Sequence, residues 1–140
     1  MRRIIASGLL VTGMLACIGT ASAHHSFTAE FDRNKKVSLK GIVTKVEWTN
    51  PHVWIYLNVK DENGNVTNWG AEMGPPHGLQ SRGWRRNTLE IGTAVTIDGS
   101  MAKNGTSRIN ASTVTLSATG GRPGEKLDAA SSGNSSKDGN

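Results

Sequence analysis

Between His52 and Lys60 the side chains alternate strictly, and this short run limits the fold more than any other feature of the chain. Val53, Ile55, Leu57 and Val59 fall on one face, and His52, Trp54, Tyr56 and Asn58 fall on the other. A period of two is the signature of a strand with one buried face. The run ends in Asp61-Glu62-Asn63-Gly64-Asn65, where Asn-Gly supplies the positive φ of a hairpin turn. A third strand follows over about Val66 to Met73. No amphipathic helix of about ten residues competes with these strands anywhere in the chain.

The remaining segments extend the pattern. Upstream, Val37, Leu39 and Gly41 share one face, and the apolar parity then moves to Ile42, Val46 and Trp48. A glycine at such a switch predicts a bulge or sharp bend in a long first strand. Thr49-Asn50-Pro51 ends it. Downstream, Gly74-Pro75-Pro76-His77-Gly78 is a breaker cluster, and Leu79 to Arg86 is expected to form a short helix with Leu79 and Trp84 as packing residues. Leu89-Glu90-Ile91-Gly92-Thr93 leads into a fourth strand through Val95 and Ile97, a turn follows at Lys103-Asn104-Gly105-Thr106, and a fifth strand covers Ile109 to Leu116. Three strands, a short helical connection and two more strands give an all-β fold, a small five-stranded OB-like barrel. An open meander or a small sandwich is the alternative.

The ends are of a different character. Arg2 and Arg3, an apolar run over Ile4–Thr20 and the small-x-small sequence Ala21-Ser22-Ala23 read as a secretory signal peptide over residues 1–23. Cleavage after Ala23 leaves His24 as the first residue. An uncleaved anchor is disfavoured because the apolar run is short and ends in a cleavage motif. Lipidation at Cys17 is disfavoured because Met14 and Leu15 fit poorly upstream. Cys17 is the single cysteine, so the mature chain holds no thiol for a disulfide, a zinc-thiolate or a nucleophile. Residues 24–118 form the β domain with an N-terminal arm. Residues 119–140 are rich in Ser, Gly and Asn and are expected to be a disordered tail.

Charge narrows the partners. Two of the 16 basic residues leave with the signal, so 14 face 11 acidic residues and the net charge falls from +5 to +3. That is mild for a nucleic-acid binder. Arg82, Arg85 and Arg86 cluster around Trp84 as a solvated loop face in preference to a phosphate site. The expected location is the periplasm or the exterior, with an envelope ligand or protein as partner, no nucleic acid, and no membrane span after cleavage.

The start His24-His25-Ser26-Phe27, with Glu30-Phe31-Asp32, the segment Gly41-x-Val43-x-Lys45-Val46-Glu47-Trp48-Thr49-Asn50-Pro51-His52, and Gly83-Trp84 together carry a resemblance. The chain resembles a family of small exported bacterial proteins classed as a domain of unknown function. The resemblance implies an exported β-rich protein. It implies no activity, catalytic residue or ligand.

Chemistry must therefore be read from the residues. An N-terminal His24 offers its α-amine and ring Nδ1, which close a chelate on Cu(II), the histidine brace. The free amine titrates at about 7.7–8.0, so a metal displaces its proton readily. Amine and imidazole suit copper. His25, His52 and His77 are candidates for further nitrogens, Met73 for a softer Cu(I) state, and Met101 is a weaker sulfur candidate. The bland alternatives are a solvated His-His arm, hydrogen-bonded or surface histidines at positions 52 and 77, and a core Met73. Trp54 and Tyr56, with Trp84 beyond them, are the candidate ligand-stacking rings, although packing under the arm or the Trp84 loop is favoured for them. Trp48 and Trp69 are expected at the core or rim. Glu47, Glu72, Glu90, Asp61 and Glu62 are scattered carboxylates, and Glu72 with His77 is the one conceivable acid/base couple. No nucleophile elbow, phosphate loop or His-Glu-x-x-His motif is present. The leading expectation is an exported non-catalytic binding protein that takes copper through His24. The alternative is a periplasmic interaction module binding a peptide, glycan or partner protein on the aromatic face, and a small hydrolase is third.

Overall fold

The computed structural model describes residues 28–118 and 124–130. Among the described residues, after a helical turn over residues 28–30, the elements follow in the order β1 (Phe31–Glu47), β2 (Trp54–Lys60), β3 (Val66–Glu72), α1 (Pro76–Gln80), β4 (Ala94–Ala102), β5 (Arg108–Leu116) and β6 (Glu125–Asp128). All pairings but one are antiparallel. The strand order is β3-β2-β1-β4-β5-β6, and β3 also pairs with β5 in parallel. The pairings of β1, β2, β3, β5 and β4 thus run round a ring. The architecture is mostly antiparallel β, as the alternation requires, with a sixth strand beyond the five expected.

β2 and β3 follow directly from the sequence. Val53, Ile55 and Leu57 are buried, whereas Trp54 and Tyr56 are half-buried on the opposite face. The turn is held by Asp61, whose Oδ1 accepts from the N–H groups of Asn63 (2.9 Å) and Asn65 (2.8 Å), with Gly64 at φ 88°. These bonds hold the Asp61 carboxyl below its ordinary range, the side-chain amide of Asn65 contributing most.

The bend in β1 differs in detail from its sequence reading. Leu39 and Val43 are both buried and Ile42 is 46% exposed, so the inward parity continues past Gly41. It changes at a register shift between Val43 and Lys45. Gly41 has a different task. It lies opposite both Val59 of β2 and Val95 of β4, where β1 passes from one neighbour to the other. A Cβ there would sit 2.4 Å from the Asn58 carbonyl oxygen. The glycine permits a close backbone approach.

The connection between β3 and β4 also shifts. The helix is Pro76–Gln80, upstream of the expected Leu79–Arg86, because Pro76 at its first turn has a preset φ and Gly83 at φ 93° stops continuation. Trp84 then turns inward and is 1% exposed. The arginines around it tie down carbonyls. Arg82 Nε donates to Gly78 O (3.0 Å), Arg85 Nη1 to Trp84 O (2.9 Å) and Arg86 Nη1 to Trp48 O (3.3 Å).

The region taken for a disordered tail contains β6, which pairs Glu125–Asp128 with Thr113–Leu116 of β5. Its composition hid it, since Leu127 is its only apolar side chain. The docking is through backbone groups. Trp84 Nε1 donates to Asp128 O (2.7 Å), Gly74 N to Ala129 O (3.0 Å) and Ala129 N to Ser112 O (2.9 Å). Ala129 and Ala130 are buried, and Ala129 belongs to the same core cluster as Ile55, Ile97, Val114 and Trp84. No helix among the described residues is long and apolar enough to cross a membrane.

Two outcomes follow. Gly41→Ala should lower unfolding free energy by about 1–3 kcal/mol, because neither backbone can yield without breaking its ladder, as measured by urea denaturation. Truncation after Ala118 should lower it by about 2–4 kcal/mol through lost burial and lost hydrogen bonds, and should expose Trp84 to an aqueous quencher.

Candidate functional site

The outward face of β2 gathers the chain's chemistry. Trp54 lies opposite Glu72 and Tyr56 opposite Gly70 on β3. On the other side Glu47 lies opposite Trp54 and Lys45 opposite Tyr56 on β1. The parallel pairing then brings Arg108 beside Gly70 and Asn110 beside Glu72. Four strands thus contribute polar or aromatic groups to one patch.

At one end His52 Nδ1 is hydrogen-bonded to Glu72 Oε1. The ladder between β2 and β3 is prolonged here by Met73 N to Val53 O (2.8 Å) and Val53 N to Gly74 O (3.1 Å), which fixes the two backbones on which the pair sits. The Glu72 side chain is 9% exposed and that of His52 24%. Burial pushes the Glu72 carboxyl above its ordinary range. The charge and hydrogen bond of His52 oppose this, the charge of Glu30 adds to it, and that of Arg108 opposes it. Pairing through Nδ1 leaves Nε2 as the other ring nitrogen.

At the centre the rings are stacked with centroids 6.3 Å apart and planes inclined by 22°. Each already carries a cation from the same sheet. The Arg108 guanidinium lies 4.7 Å from the Trp54 centroid and Lys45 Nζ lies 5.3 Å from that of Tyr56. Glu47 ties this end together, accepting from Lys45 Nζ at 2.5 Å and from the Tyr56 hydroxyl at 3.0 Å. Those two bonds hold the Glu47 carboxyl below its ordinary range, Lys45 contributing more. Desolvation, followed by the bond to Glu47, raises the Tyr56 hydroxyl. Gly70 sits under the rings, with atoms of Trp54 and Tyr56 3.5 Å from where its Cβ would be.

Beyond Arg108 a cleft of about 370 Å³ opens between Ala29–Phe31 and the Ala102–Asn104 end of the β4–β5 turn. Lys103 donates to the Thr28 carbonyl across it at 2.5 Å.

The sequence-derived candidates divide accordingly. Trp54, Tyr56, His52 and Glu72 come together. His77 does not; it is exposed on α1, and the partner of Glu72 is His52 in place of the expected His77. Trp84 is withdrawn from the ligand face because its ring fills the core and its N–H is spent on Asp128. Met73 is fully buried in the core cluster, which removes it as an accessible sulfur ligand. Met101 is half-buried against that cluster. His24 and His25 lie outside the described residues, as does Cys17. Among the described residues no three His, Cys, Asp or Glu side chains gather into a metal-binding group. The sequence reading missed Arg108 and the Lys45–Glu47–Tyr56 cluster; for the latter, the signal was Lys and Glu alternating on one face of β1.

The fold and this patch define a small antiparallel β protein with a carboxylate-backed histidine beside a cation-flanked aromatic pair. The chain matches the model of a family of unknown function (DUF6152) over residues 12–111, and it belongs to that family. This agrees with the resemblance drawn from the residues. No curated protein matches the chain.

The raised Glu72 carboxyl has a pH consequence. A carboxyl raised by folding contributes stability that is full below the ordinary glutamate range and is lost as pH rises through its folded value. Glu72→Gln should flatten the fall in unfolding free energy across that window, as measured by urea denaturation at a series of pH values.

Proposed function

We propose that the protein is an exported, non-catalytic copper-binding protein, in which His24 supplies its α-amine and ring Nδ1 and His52 supplies a third nitrogen through Nε2. The observation that carries this reading is the His52–Glu72 pair. An ionised carboxylate on Nδ1 favours the tautomer protonated there, which leaves the Nε2 lone pair for a metal and makes it more basic. A buried carboxylate behind an imidazole is the support that metal-ligating histidines use.

Reach supports the same arrangement. The charge of Glu30 acts on Glu72, so the root of the arm lies within electrostatic range of the pair. His24 is six residues before Glu30, a span of at most about 20 Å when extended. His25 is a further imidazole on the arm. Amine and imidazole donors favour copper among divalent metals. Export rests on the signal-like residues 1–23, whose removal would create the amine that the site needs. The ring order of β1, β2, β3, β5 and β4, with β3 parallel to β5, supports an OB-like barrel as the scaffold.

The test is a Cu(II) titration of protein shown by intact mass to begin at His24, read by electron paramagnetic resonance. One tight, nitrogen-rich site per chain is expected. A Ser-Gly-Ser-Gly extension before His24 should abolish it, His52→Ala should remove one nitrogen, and His77→Ala should change nothing. Glu72→Gln should weaken affinity by about 10–100-fold. Unchanged affinity in the extended protein rejects the brace, and an unchanged spectrum in His52→Ala rejects the third ligand.

A further inference from the structure

β1 has two neighbours, but over different stretches. Gly41–Glu47 lie beside β2, and Lys36–Ile42 lie beside β4. Among the described residues no strand pairs with the second edge of Lys36–Lys40. Val43 gives the direction of the backbone groups on that edge. Its N–H and C=O both bond toward the start of β4, to Thr93 O (2.9 Å) and Gly92 N (2.8 Å). Along an antiparallel strand this direction alternates from residue to residue. Val37 and Leu39 therefore turn their N–H and C=O toward β4, and Ser38 and Lys40 turn theirs toward the open edge.

Three exposed lysines flank that edge, with Asp61 and Glu62 following Lys60 in the turn beyond it. Lys35 and Lys40 are exposed, and so is Lys60 at the end of β2, next to Val59, which lies opposite Gly41. None of these three amino groups has an ion pair or hydrogen bond among the described residues. Lys36 Nζ donates to Ser100 Oγ at 3.1 Å. The nearby carboxylate, Asp98, is engaged by Ser38, Thr113 and Lys126. Lysines beside an open edge repel a second copy of the same basic edge. They attract a strand of opposite charge.

We propose that the open edge of β1 over Lys36–Lys40 docks an extended acidic peptide segment of a partner protein, which joins the sheet as an added strand. Backbone hydrogen bonds to Ser38 and Lys40 supply the attachment, and Lys35, Lys40 and Lys60 select acidic side chains. A membrane or another polyanion would use the lysines and leave the backbone groups idle, so the open ladder favours a peptide. This site goes beyond the proposed copper function and shares no residue with it.

The experiment is a titration of the full mature chain with a synthetic peptide of alternating Glu and Val, followed by amide NMR and hydrogen exchange. The Ser38 and Lys40 amides should shift and gain protection, and the matching Lys-Val peptide should not bind. Ser38→Pro removes the open-edge donor and no backbone bond to β4, although the side-chain bond from Ser38 to Asp98 is lost with it, and should weaken binding roughly tenfold. Lys35→Glu with Lys40→Glu should do the same, and keeps the charge arm decisive if the proline variant fails to fold by circular dichroism. Failure of the Glu-Val peptide to bind overturns the proposal. So does binding that leaves the Ser38 and Lys40 amides unprotected, or equal binding by a folded Ser38→Pro protein. Heparin producing the same amide pattern would also overturn it. So would protection already present in the free protein and lost on deleting residues 131–140, since the chain's own end would then be the occupant.

Discussion

Three residue pairs between β3 and β5 close the ring of strands. Gly70, Ala71 and Glu72 of β3 run parallel to Arg108, Ile109 and Asn110 of β5. Parallel pairing is slightly the weaker kind per residue, and this stretch is short. It survives because Ala71 and Ile109 are fully buried, so separating the strands would open the core. The same pairing sends Glu72 and Arg108 to the outer side, beside Trp54. Core and candidate site therefore depend on one contact. Where β3 leaves β5, β6 takes over the vacated edge along Thr113–Leu116. The Trp84 indole and the Gly74 amide fasten that replacement from the α1 side.

Local pattern exposed the parts of this fold that local physics determines. The alternation of Val53, Ile55 and Leu57 identified the core face of β2, and the Asn63-Gly64 turn identified its hairpin. Patterns that depend on distant partners misled. Ile42 made Gly41 look like the parity switch, but an apolar side chain at a surface position costs little, and the true shift lies between Val43 and Lys45. β6 has one apolar side chain and is held by backbone bonds to residues far away in sequence, so composition alone assigned it to a tail. Trp84 was expected both as a packing residue beside Leu79 and as a ligand-stacking ring, and it packs. Its burial depends on the carbonyl of Asp128, which belongs to that same unrecognised strand.

The site was half legible for a similar reason. Counting outward from Lys60 opposite Val66 places Glu72 opposite Trp54, one step from His52. The hairpin register thus contained the His52–Glu72 pair, and proximity in sequence drew attention to His77 instead. Arg108 was beyond any such count. It reaches Trp54 only through the parallel pairing, whose partners are set by the closing of the whole ring. For the Lys45–Glu47–Tyr56 cluster, the apolar parity of Val46 and Trp48 already turned Lys45 and Glu47 outward, but placing Lys45 opposite Tyr56 needed the register shift between Val43 and Lys45.

A buried carboxylate beside an imidazole is a poor device for stability alone. Taking a charge from water costs several kcal/mol in such settings, and an apolar pair of similar volume often packs as well or better. Glu72 shows that cost in its raised carboxyl. What the pair does provide is orientation, holding one ring nitrogen so that the other has a defined direction. The aromatic pair offers less to an external ligand. Arg108 and Lys45 already lie over Trp54 and Tyr56, and both rings are needed to cover Gly70. A ligand stacking there would have to displace a cation that the fold itself supplies, whereas one approaching His52 Nε2 would meet a donor whose other side is already held. That difference in cost is why the chemistry of this face is assigned to the histidine.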